Sequence, residues 1–435
     1  MNKVIVLAAG VVVVGVATAQ TETVERQACQ RSYATTVSNC AKSLDYLDPN
    51  ERAGTQQTCV HSAMARREAC LVGVTKVRFN SMVTFGASLS DVGAYKVGTV
   101  AALGGGKYTV NGPDGLTWTE VLAKMVGAPP QCAAQTGLLP NISGVTGAPV
   151  QNFDNCFNYA QGSSRVSSSG TGPAGVALQT ALAQRNVGLM CISLREQVGN
   201  HLAKVGGYFQ RTDLVTVEAG GNDLFTQLTA VSSAAGGGAA AVATGTVAGW
   251  PQATLDVVIL GGPAALDAAR AAAVKAMDQA GAELAALINT QIVGRGAWYV
   301  VVRNLGNVAY APLGRSVDAA TQAFVVTMTQ AFNSRLNAGL TNSAGALPYG
   351  VIIFDQFTLT EAVAADPARF GFSNNSSPAC GPNAFGGNAL VCNSTNLVPG
   401  DTSRYAFADL THPTPYWHRL AAELVMSRMV VAGWQ

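Results

Sequence analysis

The chain has 435 residues, of which 48% are hydrophobic and 12% are charged, and its formal net charge is +2. A chain of this length and composition can bury a large core, which excludes an intrinsically disordered protein. The small net charge and the lack of a basic run argue against nucleic acid or an anionic membrane surface as the main partner.

The first 19 residues have the pattern of a secretory signal peptide. Lys3 supplies a positive charge, residues 4–16 are apolar, and the small residues 17–19 form a cleavage site before Gln20. The alternative is a membrane anchor, but the apolar run is roughly 13 residues long and about 20 are needed to span a bilayer. We therefore expect an exported protein, secreted or periplasmic, with no membrane-spanning segment in the mature chain.

Residues 20–75 contain two pairs of cysteines with the same spacing of eleven residues: Cys29 and Cys40, Cys59 and Cys70. Eleven residues make about three helical turns, so the members of a pair share a helix face but lie roughly 16 Å apart, too far to bond. We expect a helical hairpin with nested disulfides, Cys29–Cys70 and Cys40–Cys59, around the turn signal Asp-Pro-Asn. A zinc site is the alternative, but the short Cys-x₂₋₄-Cys pairs that zinc sites favour are missing.

The remaining five cysteines lie in the rest of the chain. Cys132 with Cys156, and Cys380 with Cys392, are candidates for local disulfides. Cys191 is then left over, and we expect a buried free thiol rather than a nucleophile because no sequence feature marks it as activated. No metal and no cofactor is expected.

Strand and helix patterns alternate from residue 81 onward. Strands are predicted at residues 81–85, 214–217, 297–302 and 351–354. Helices are predicted at residues 118–126, 194–205, 264–292, 319–340 and 415–431. This alternation predicts a parallel sheet covered by helices on both faces.

Two segments have the composition of loops. Residues 232–248 are a Gly/Ala low-complexity stretch, which predicts a mobile loop because glycine frees the backbone and offers no side chain for packing. Residues 371–404 are rich in Gly, Asn, Ser and Pro, and they predict a long, disulfide-tied loop before the last helix.

His412 is the histidine best placed for catalysis. A serine nucleophile needs a general base, most often a histidine that a carboxylate orients, and Asp409 lies three residues before His412. Pro413 biases His412 away from helical geometry, which places the ring on a loop. The other histidines are expected to have structural roles: His61 in the hairpin, His201 on a helix surface and His418 inside the last helix.

Ser88 directly follows the first predicted strand. Sites in parallel sheets form at the carboxyl ends of strands, and free backbone N–H groups at a helix start can hold an oxyanion. Taken alone, Ser88 would be better explained as an ordinary helix N-cap. A second strand, 214–217, is followed by Gly-Gly-Asn-Asp at 220–223, which places the amide of Asn222 at another strand end.

Together, and in this order, these segments resemble the SGNH (GDSL) hydrolase family. Four blocks carry the resemblance: F-G-A-S-L-S-D at 85–91, N-Y-A-Q-G at 158–162, G-G-N-D at 220–223 and D-L-T-H at 409–412. The resemblance extends over residues 80–430. It departs from the family at Ala87, where an aspartate is usual, and this leaves open what supports the nucleophile turn.

The resemblance implies a fold and a set of roles. Residues 76–435 would form a flavodoxin-like three-layer αβα SGNH hydrolase domain with a parallel sheet, to which the hairpin is added. Ser88 would attack an ester carbonyl, His412 would take its proton and Asp409 would orient the imidazole. The backbone N–H groups of Ser88 and Gly162 and the side chain of Asn222 would hold the oxyanion.

The expected function is that of a secreted serine ester hydrolase that acts on lipid or other acyl esters through an acyl-enzyme. The alternatives are an acyltransferase of the same family that moves acyl groups to alcohols, and a non-catalytic secreted binding protein. The acyl length, the alcohol part of the substrate and the oligomeric state are left open by the sequence. Residues 232–248 are either a mobile wall on the acyl-binding side or an inert insertion.

Overall fold

A computed structural model describes residues 77–138, 144–168, 190–341, 347–348 and 350–435, together with positions 33, 60, 63 and 64. The signal peptide predicted at 1–19, the four cysteines of the hairpin predicted at 20–75, and His61 lie outside the described residues. Arg78–Val425 forms one compact unit. Val77 belongs to a second unit with Met426–Gln435, and its backbone N–H donates to the carbonyl of Trp434 at 3.3 Å.

Eight strands lie in the described part of the chain: β1 Ser81–Phe85, β2 Gln135–Leu138, β3 Ala148–Asn152, β4 Asp213–Glu218, β5 Tyr299–Arg303, β6 Val351–Phe354, β7 Asn374–Pro378 and β8 Tyr405–Phe407. The central sheet has the order β1-β4-β5-β6, and every neighbouring pair is parallel. All residues of β4 are buried, as expected of a central strand that is covered on both faces. The prediction of a parallel sheet built from these four strands is confirmed.

Eleven helices accompany the strands in the described residues: α1 Gly98–Ala102, α2 Trp118–Val126, α3 Leu194–Lys204, α4 Gly221–Ala234, α5 Gly238–Val247, α6 Gln252–Val258, α7 Gly262–Leu287, α8 Pro312–Arg315, α9 Ala319–Leu340, α10 Gln356–Ala365 and α11 Pro415–Val431. Two of these helices, α2 and α3, begin with a capping box. Thr117 and Ser193 each accept the backbone N–H three residues later, while Glu120 and Glu196 reach back to the cap. The bounds predicted for α2, α9 and α11 agree with the structure.

Small residues allow α7 and α9 to pack closely along each other. Ala265, Ala269 and Ala273 repeat every four residues along α7 and are fully buried. At Gly281, a Cβ atom would lie 2.4 Å from the carbonyl oxygen of Phe332 on α9. The alanine and glycine content of this helix is therefore what permits the two backbones to approach.

The prediction of a mobile loop at residues 232–248 is wrong. The end of α4 and the whole of α5 occupy this segment, and only the turn around Gly237, with φ of 66°, separates them. Alanine has the highest helix propensity, and this preference outweighs the presence of glycine. Gly245 is buried, and a Cβ atom there would lie 2.7 Å from the Trp250 ring. The small residues therefore serve close packing.

His201 is buried, so the prediction that it lies on a helix surface is also wrong. Only 1% of its surface is exposed, and its ring packs at 4.7 Å from that of Phe209 and 5.4 Å from that of Tyr159. The buried face of α3 contains Leu194, Gln197, Val198 and His201. This i, i+3, i+4, i+7 pattern makes one face of a helix, so the spacing itself predicts burial.

The cysteines in the described part of the chain agree with the predicted pairing. Cys132 is bonded to Cys156 and Cys380 to Cys392, while Cys191 is a buried free thiol. The segment 371–404 is mainly loop, interrupted by β7 and by a short 3-10 turn at Ala389–Val391. Among the described residues, no helix combines the length and the hydrophobicity needed to cross a bilayer.

Candidate active site

The turn that carries Ser88 lies at the carboxyl end of β1. Ser88–Ser90 forms one turn of 3-10 helix. Residues 157–159 run parallel to β1 and exchange two backbone hydrogen bonds with Thr84, of 3.0 and 2.8 Å. The N–H of Gln161 then donates to the carbonyl of Gly86 at 3.2 Å. The second sequence block is thereby fixed beside the nucleophile turn.

Ser88, His412 and Asp409 form a continuous line of hydrogen-bonding groups. Ser88 Oγ lies 3.0 Å from His412 Nε2, and His412 Nδ1 lies 2.8 Å from Asp409 Oδ2. An ionised carboxylate only accepts, so Nδ1 carries the proton and Nε2 is left to accept the proton of the Ser88 hydroxyl. This arrangement allows the histidine to deprotonate the serine.

Asp409 is held as an anion by donors from several directions. Its carboxylate accepts hydrogen bonds of 2.8 to 2.9 Å from His412 Nδ1 and from the backbone N–H groups of Thr411, His412 and Ala389. Burial by itself would raise the pKa of Asp409, but the charge of His412 and these hydrogen bonds outweigh it and lower the pKa to about 2. Asp409 therefore stays ionised over the range in which esterases work.

Gly162 contacts a carboxylate that the sequence blocks leave without a role. Its N–H donates to Asp91 Oδ2 at 3.0 Å. Burial raises the pKa of Asp91 to about 6, although hydrogen bonds from the backbone of Ala94, Gly93 and Gly162 oppose the rise. The oxyanion role of the Gly162 N–H stays a prediction, and it requires that N–H to be shared with Asp91 or released from it.

Tyr108 packs over both Gly162 and His412. A Cβ atom built on Gly162 would lie 2.2 Å from the Tyr108 hydroxyl oxygen. The Tyr108 ring lies 4.8 Å from that of His412, at an angle of 37°. Tyr108 stands far from the sequence blocks in the chain, and only its place in the fold brings it to the site.

Asn222 lies in the first turn of α4, and its side chain contacts the segment that follows Gly162. Its Nδ2 donates to the carbonyl of Ser164 at 2.9 Å. An amide group has two N–H bonds, so this contact uses one of them and fixes the plane of the other. The arrangement is compatible with the predicted role of Asn222 as a donor, which stays a prediction.

Gln197 is a further residue of the site that was not predicted from the sequence. From α3 its amide brackets the peptide groups around Gly86: Oε1 accepts the Gly86 N–H and Nε2 donates to the Gly86 carbonyl, both at 2.9 Å. Its signal in the sequence is a glutamine on the apolar face of an amphipathic helix. A buried amide at such a position needs partners in the core.

His418 has the structural position that was expected of it. It is fully buried, and its Nδ1 accepts the backbone N–H of Trp118 at 3.2 Å. In the described part of the chain no cluster of three or more His, Cys, Asp or Glu side chains is arranged to hold a metal ion.

Known protein sequences resemble this chain. A family model described as GDSL-like Lipase/Acylhydrolase matches residues 82–425. A GDSL esterase/lipase of Arabidopsis thaliana is 29% identical over 136 residues, 31% of this chain and 37% of that protein. The anther-specific proline-rich protein APG of Arabidopsis thaliana is 29% identical over 140 residues, 31% of this chain and 25% of that protein.

Each of these two alignments therefore spans well under half the length of the relative. The family model, in contrast, extends over most of the chain and includes Ser88, Gly162, Asn222, Asp409 and His412. The chain belongs to the GDSL-like lipase/acylhydrolase family.

Proposed function

We propose that this protein is a serine hydrolase of carboxylic esters and that it works through an acyl-enzyme on Ser88. The observation that carries the proposal is the line Ser88–His412–Asp409, with contacts of 3.0 and 2.8 Å. A binding protein without catalysis would have no need to keep a nucleophile, a base and an orienting carboxylate in this register. Family membership supports hydrolysis of esters, and no contact in the site favours transfer to an alcohol instead.

In the first half-reaction, Ser88 Oγ attacks the carbonyl carbon of the ester while His412 Nε2 takes the hydroxyl proton. The Asp409 carboxylate stabilises the imidazolium that forms. Collapse of the tetrahedral intermediate breaks the bond to the alcohol oxygen, and His412 returns the proton to that oxygen. In the second half-reaction a water molecule attacks the acyl carbon while His412 Nε2 takes its proton. The bond from the acyl carbon to Ser88 Oγ then breaks, His412 returns the proton to Oγ, and the carboxylic acid is released.

The charge on the tetrahedral intermediate requires donors on the side of the carbonyl oxygen. We assign this role to the backbone N–H groups of Ser88 and Gly162 and to the second N–H of the Asn222 amide. An oxyanion is a strong acceptor that would compete with Asp91 for the Gly162 N–H. Asp91 therefore holds the 162 segment in place before the charge develops.

The broader setting is proposed from the sequence. Residues 76–435 would form a three-layer αβα domain, and the signal-like residues 1–19 would direct the chain out of the cytoplasm. Two disulfides, Cys132–Cys156 and Cys380–Cys392, fit an oxidising compartment. The substrates would be lipid or other acyl esters.

The test is the Ser88→Ala variant of the whole chain, assayed on p-nitrophenyl esters of graded acyl length. We expect turnover to fall at least about 10⁴-fold with the melting temperature unchanged, since loss of one triad member removes the unit. A fluorophosphonate probe should label the wild type at Ser88, as read by peptide mass spectrometry.

Ser168→Ala serves as the matched control, because Ser168 lies outside the nucleophile turn and should keep full activity. Retention of more than about 1% of wild-type turnover by Ser88→Ala would exclude Ser88 as the nucleophile.

A further inference from the structure

A buried carboxylate lies beneath the turn that carries Ser88. Glu218 is the last residue of β4, and 5% of its surface is exposed. Its Oε2 accepts a hydrogen bond from Ser90 Oγ at 3.3 Å and from the N–H of Ala87 at 3.5 Å. Ala87 and Ser90 stand on either side of the nucleophile, so one carboxylate contacts the turn at both of its ends.

The direction of the Ser90 hydroxyl is fixed by a third group. Trp118 Nε1 donates to Ser90 Oγ at 3.0 Å, and Trp118 and Ser90 are both fully buried. An indole N–H can only donate, so the Ser90 oxygen is the acceptor there, and its own proton is free to point at Glu218. The result is a one-way chain of hydrogen bonds from Trp118 through Ser90 to Glu218.

Arg303 supplies the counter-charge from the neighbouring strand. It is the register partner of Glu218 across β4 and β5, and 2% of its surface is exposed. Its Nε donates to Gln356 at 2.9 Å, and its guanidinium carbon lies 5.4 Å from the centre of the Trp118 ring. Arginine, glutamate, serine and tryptophan thus form one buried polar layer under the active site.

The charges in this layer influence one another and the site above. Burial raises the pKa of Glu218, and the charges of Arg303 and His412 and its hydrogen bonds oppose that shift. Burial lowers the pKa of Arg303 to about 10, which leaves it a cation at neutral pH. His418 from α11 faces Arg303, and burial lowers the pKa of His418 so that it is neutral. Arg303 and His412 are the titratable groups whose charges act on Glu218.

We propose that Glu218 is the positioning residue of the nucleophile, with Arg303 as its counter-ion. The carboxylate clamps the turn through Ala87 and Ser90, which keeps Ser88 Oγ within hydrogen-bonding distance of His412. Its negative charge also favours the imidazolium form of His412 during catalysis. Position 87 carries a methyl group and cannot supply a carboxylate, and Glu218 supplies one from the adjacent strand.

This inference rests on the proposed function, and its test is the Glu218→Gln variant of the full chain. The amide keeps the size and one acceptor but loses the charge. We expect kcat to fall about 10- to 100-fold with KM within twofold, because a loosened nucleophile spends less time in attack geometry. The acidic limb of the plot of kcat/KM against pH should move to lower pH by roughly 0.5, because the imidazolium loses a nearby negative charge.

Asp213→Asn is the matched control. Asp213 is a buried carboxylate at the opposite end of the same strand, where it accepts a hydrogen bond from Ser81 of β1. Both variants replace a buried carboxylate of β4 by its amide, but Asp213→Asn should retain wild-type kcat and the wild-type pH profile. A loss of melting temperature common to both variants then measures the structural contribution alone.

Ser90→Ala decides the question if Glu218→Gln does not fold. Ser90→Ala removes the hydrogen bond from Ser90 to Glu218 but keeps the negative charge of Glu218. We therefore expect kcat to fall about five- to tenfold and the acidic limb to stay in place. The inference is overturned if a folded Glu218→Gln variant keeps kcat within twofold of the wild type and its acidic limb does not move. It is also overturned if Asp213→Asn lowers kcat and moves the acidic limb as much as Glu218→Gln does, or if Ser90→Ala retains full kcat. A wild type that is unreactive toward esters and fluorophosphonate would instead refute the proposed function.

Discussion

At the scale of single residues, the Tyr108 side chain limits which residue can stand at position 162. The Tyr108 ring occupies the volume that any Cβ atom at position 162 would fill. The same ring packs against His412, so an atom added at position 162 would displace the proposed base through Tyr108. Only glycine leaves both the ring and the imidazole where they are.

We therefore expect Gly162→Ala to lower the melting temperature by several degrees and esterase turnover by at least tenfold. Overpacking of a buried site costs about 1–3 kcal/mol. Gly199→Ala on the exposed side of α3 is the control, because a Cβ atom there meets nothing within 4 Å. Thermal melts and initial rates of the two variants would check this, and the double variant with Tyr108→Leu should regain stability. A Gly162→Ala protein as stable as Gly199→Ala would contradict it.

At the scale of elements, Arg165 ties three parts of the fold together. Its Nε lies 3.3 Å from Asp223 Oδ1 in the first turn of α4, and its Nη1 donates to the carbonyl of Val247 at the end of α5. Asp223 also accepts the backbone N–H of Val166. The segment after Gly162, the helix that begins at Gly221 and the helix at 238–247 therefore share one buried ion pair.

Arg165→Met should destabilise the protein by about 3–5 kcal/mol, because it leaves the Asp223 carboxylate buried without its partner. The exposed pair Arg335–Asp278 joins α9 to α7 at 3.2 Å and provides the control. Loss of that pair by Arg335→Met should cost less than about 1 kcal/mol. Denaturation with guanidinium measures both values, and Asp223→Asn added to Arg165→Met should recover part of the loss. If Arg165→Met and Arg335→Met lowered the free energy of unfolding equally, the buried pair would contribute no more to stability than the exposed pair.

The strands of the central sheet and the longest helices were predictable, whereas the helix at residues 238–247 was not, and the reason is physical. The proline that begins α11 and the apolar runs of β5 and β6 are local properties of the sequence. Residues 238–247 form a helix whose small residues pack against Trp250 and Leu255. A closely packed Gly/Ala helix and an unpacked Gly/Ala loop can have the same composition. They differ in the residues that pack against them, and composition does not contain that information.

At the scale of the whole molecule, acid should weaken the fold through His201. Burial lowers the pKa of His201 to about 4 from an ordinary value of 6.5. A histidine with a lowered pKa contributes stability that is fully present above pH 6.5, and this contribution is lost as the pH falls toward 4. Since a tenfold change in proton affinity corresponds to about 1.4 kcal/mol, the free energy of unfolding should fall by roughly 3 kcal/mol in total.

His201→Gln should remove this dependence. The variant loses packing and is less stable at pH 7, but its free energy of unfolding should fall less between about pH 6.5 and 4.5 than that of the wild type. Urea denaturation at several pH values checks the slope. Asp91, whose raised pKa acts in the opposite sense, is present in both proteins and cancels in the difference. Parallel curves for wild type and variant would rule out His201 as the acid-sensitive group.

The candidate site could be read from the sequence only in part. Ser88, Asn222, Asp409 and His412 stand in short blocks whose order indicates the chemistry. Glu218, Gln197 and Tyr108 reach the site from a strand register, a helix face and a distant loop. Their contacts depend on how separate elements align, and a single sequence does not contain that information in local form.

The contact between Ser88 and His412 joins positions 324 residues apart. Closing so long a loop costs chain entropy that only the completed sheet and the last helix repay, so we expect Ser88 to meet His412 late in folding. Under the proposed function, a partly folded chain then has a serine without a base and does not cleave esters. We therefore expect ester cleavage to report directly on the folded population, so that refolding could be followed by activity.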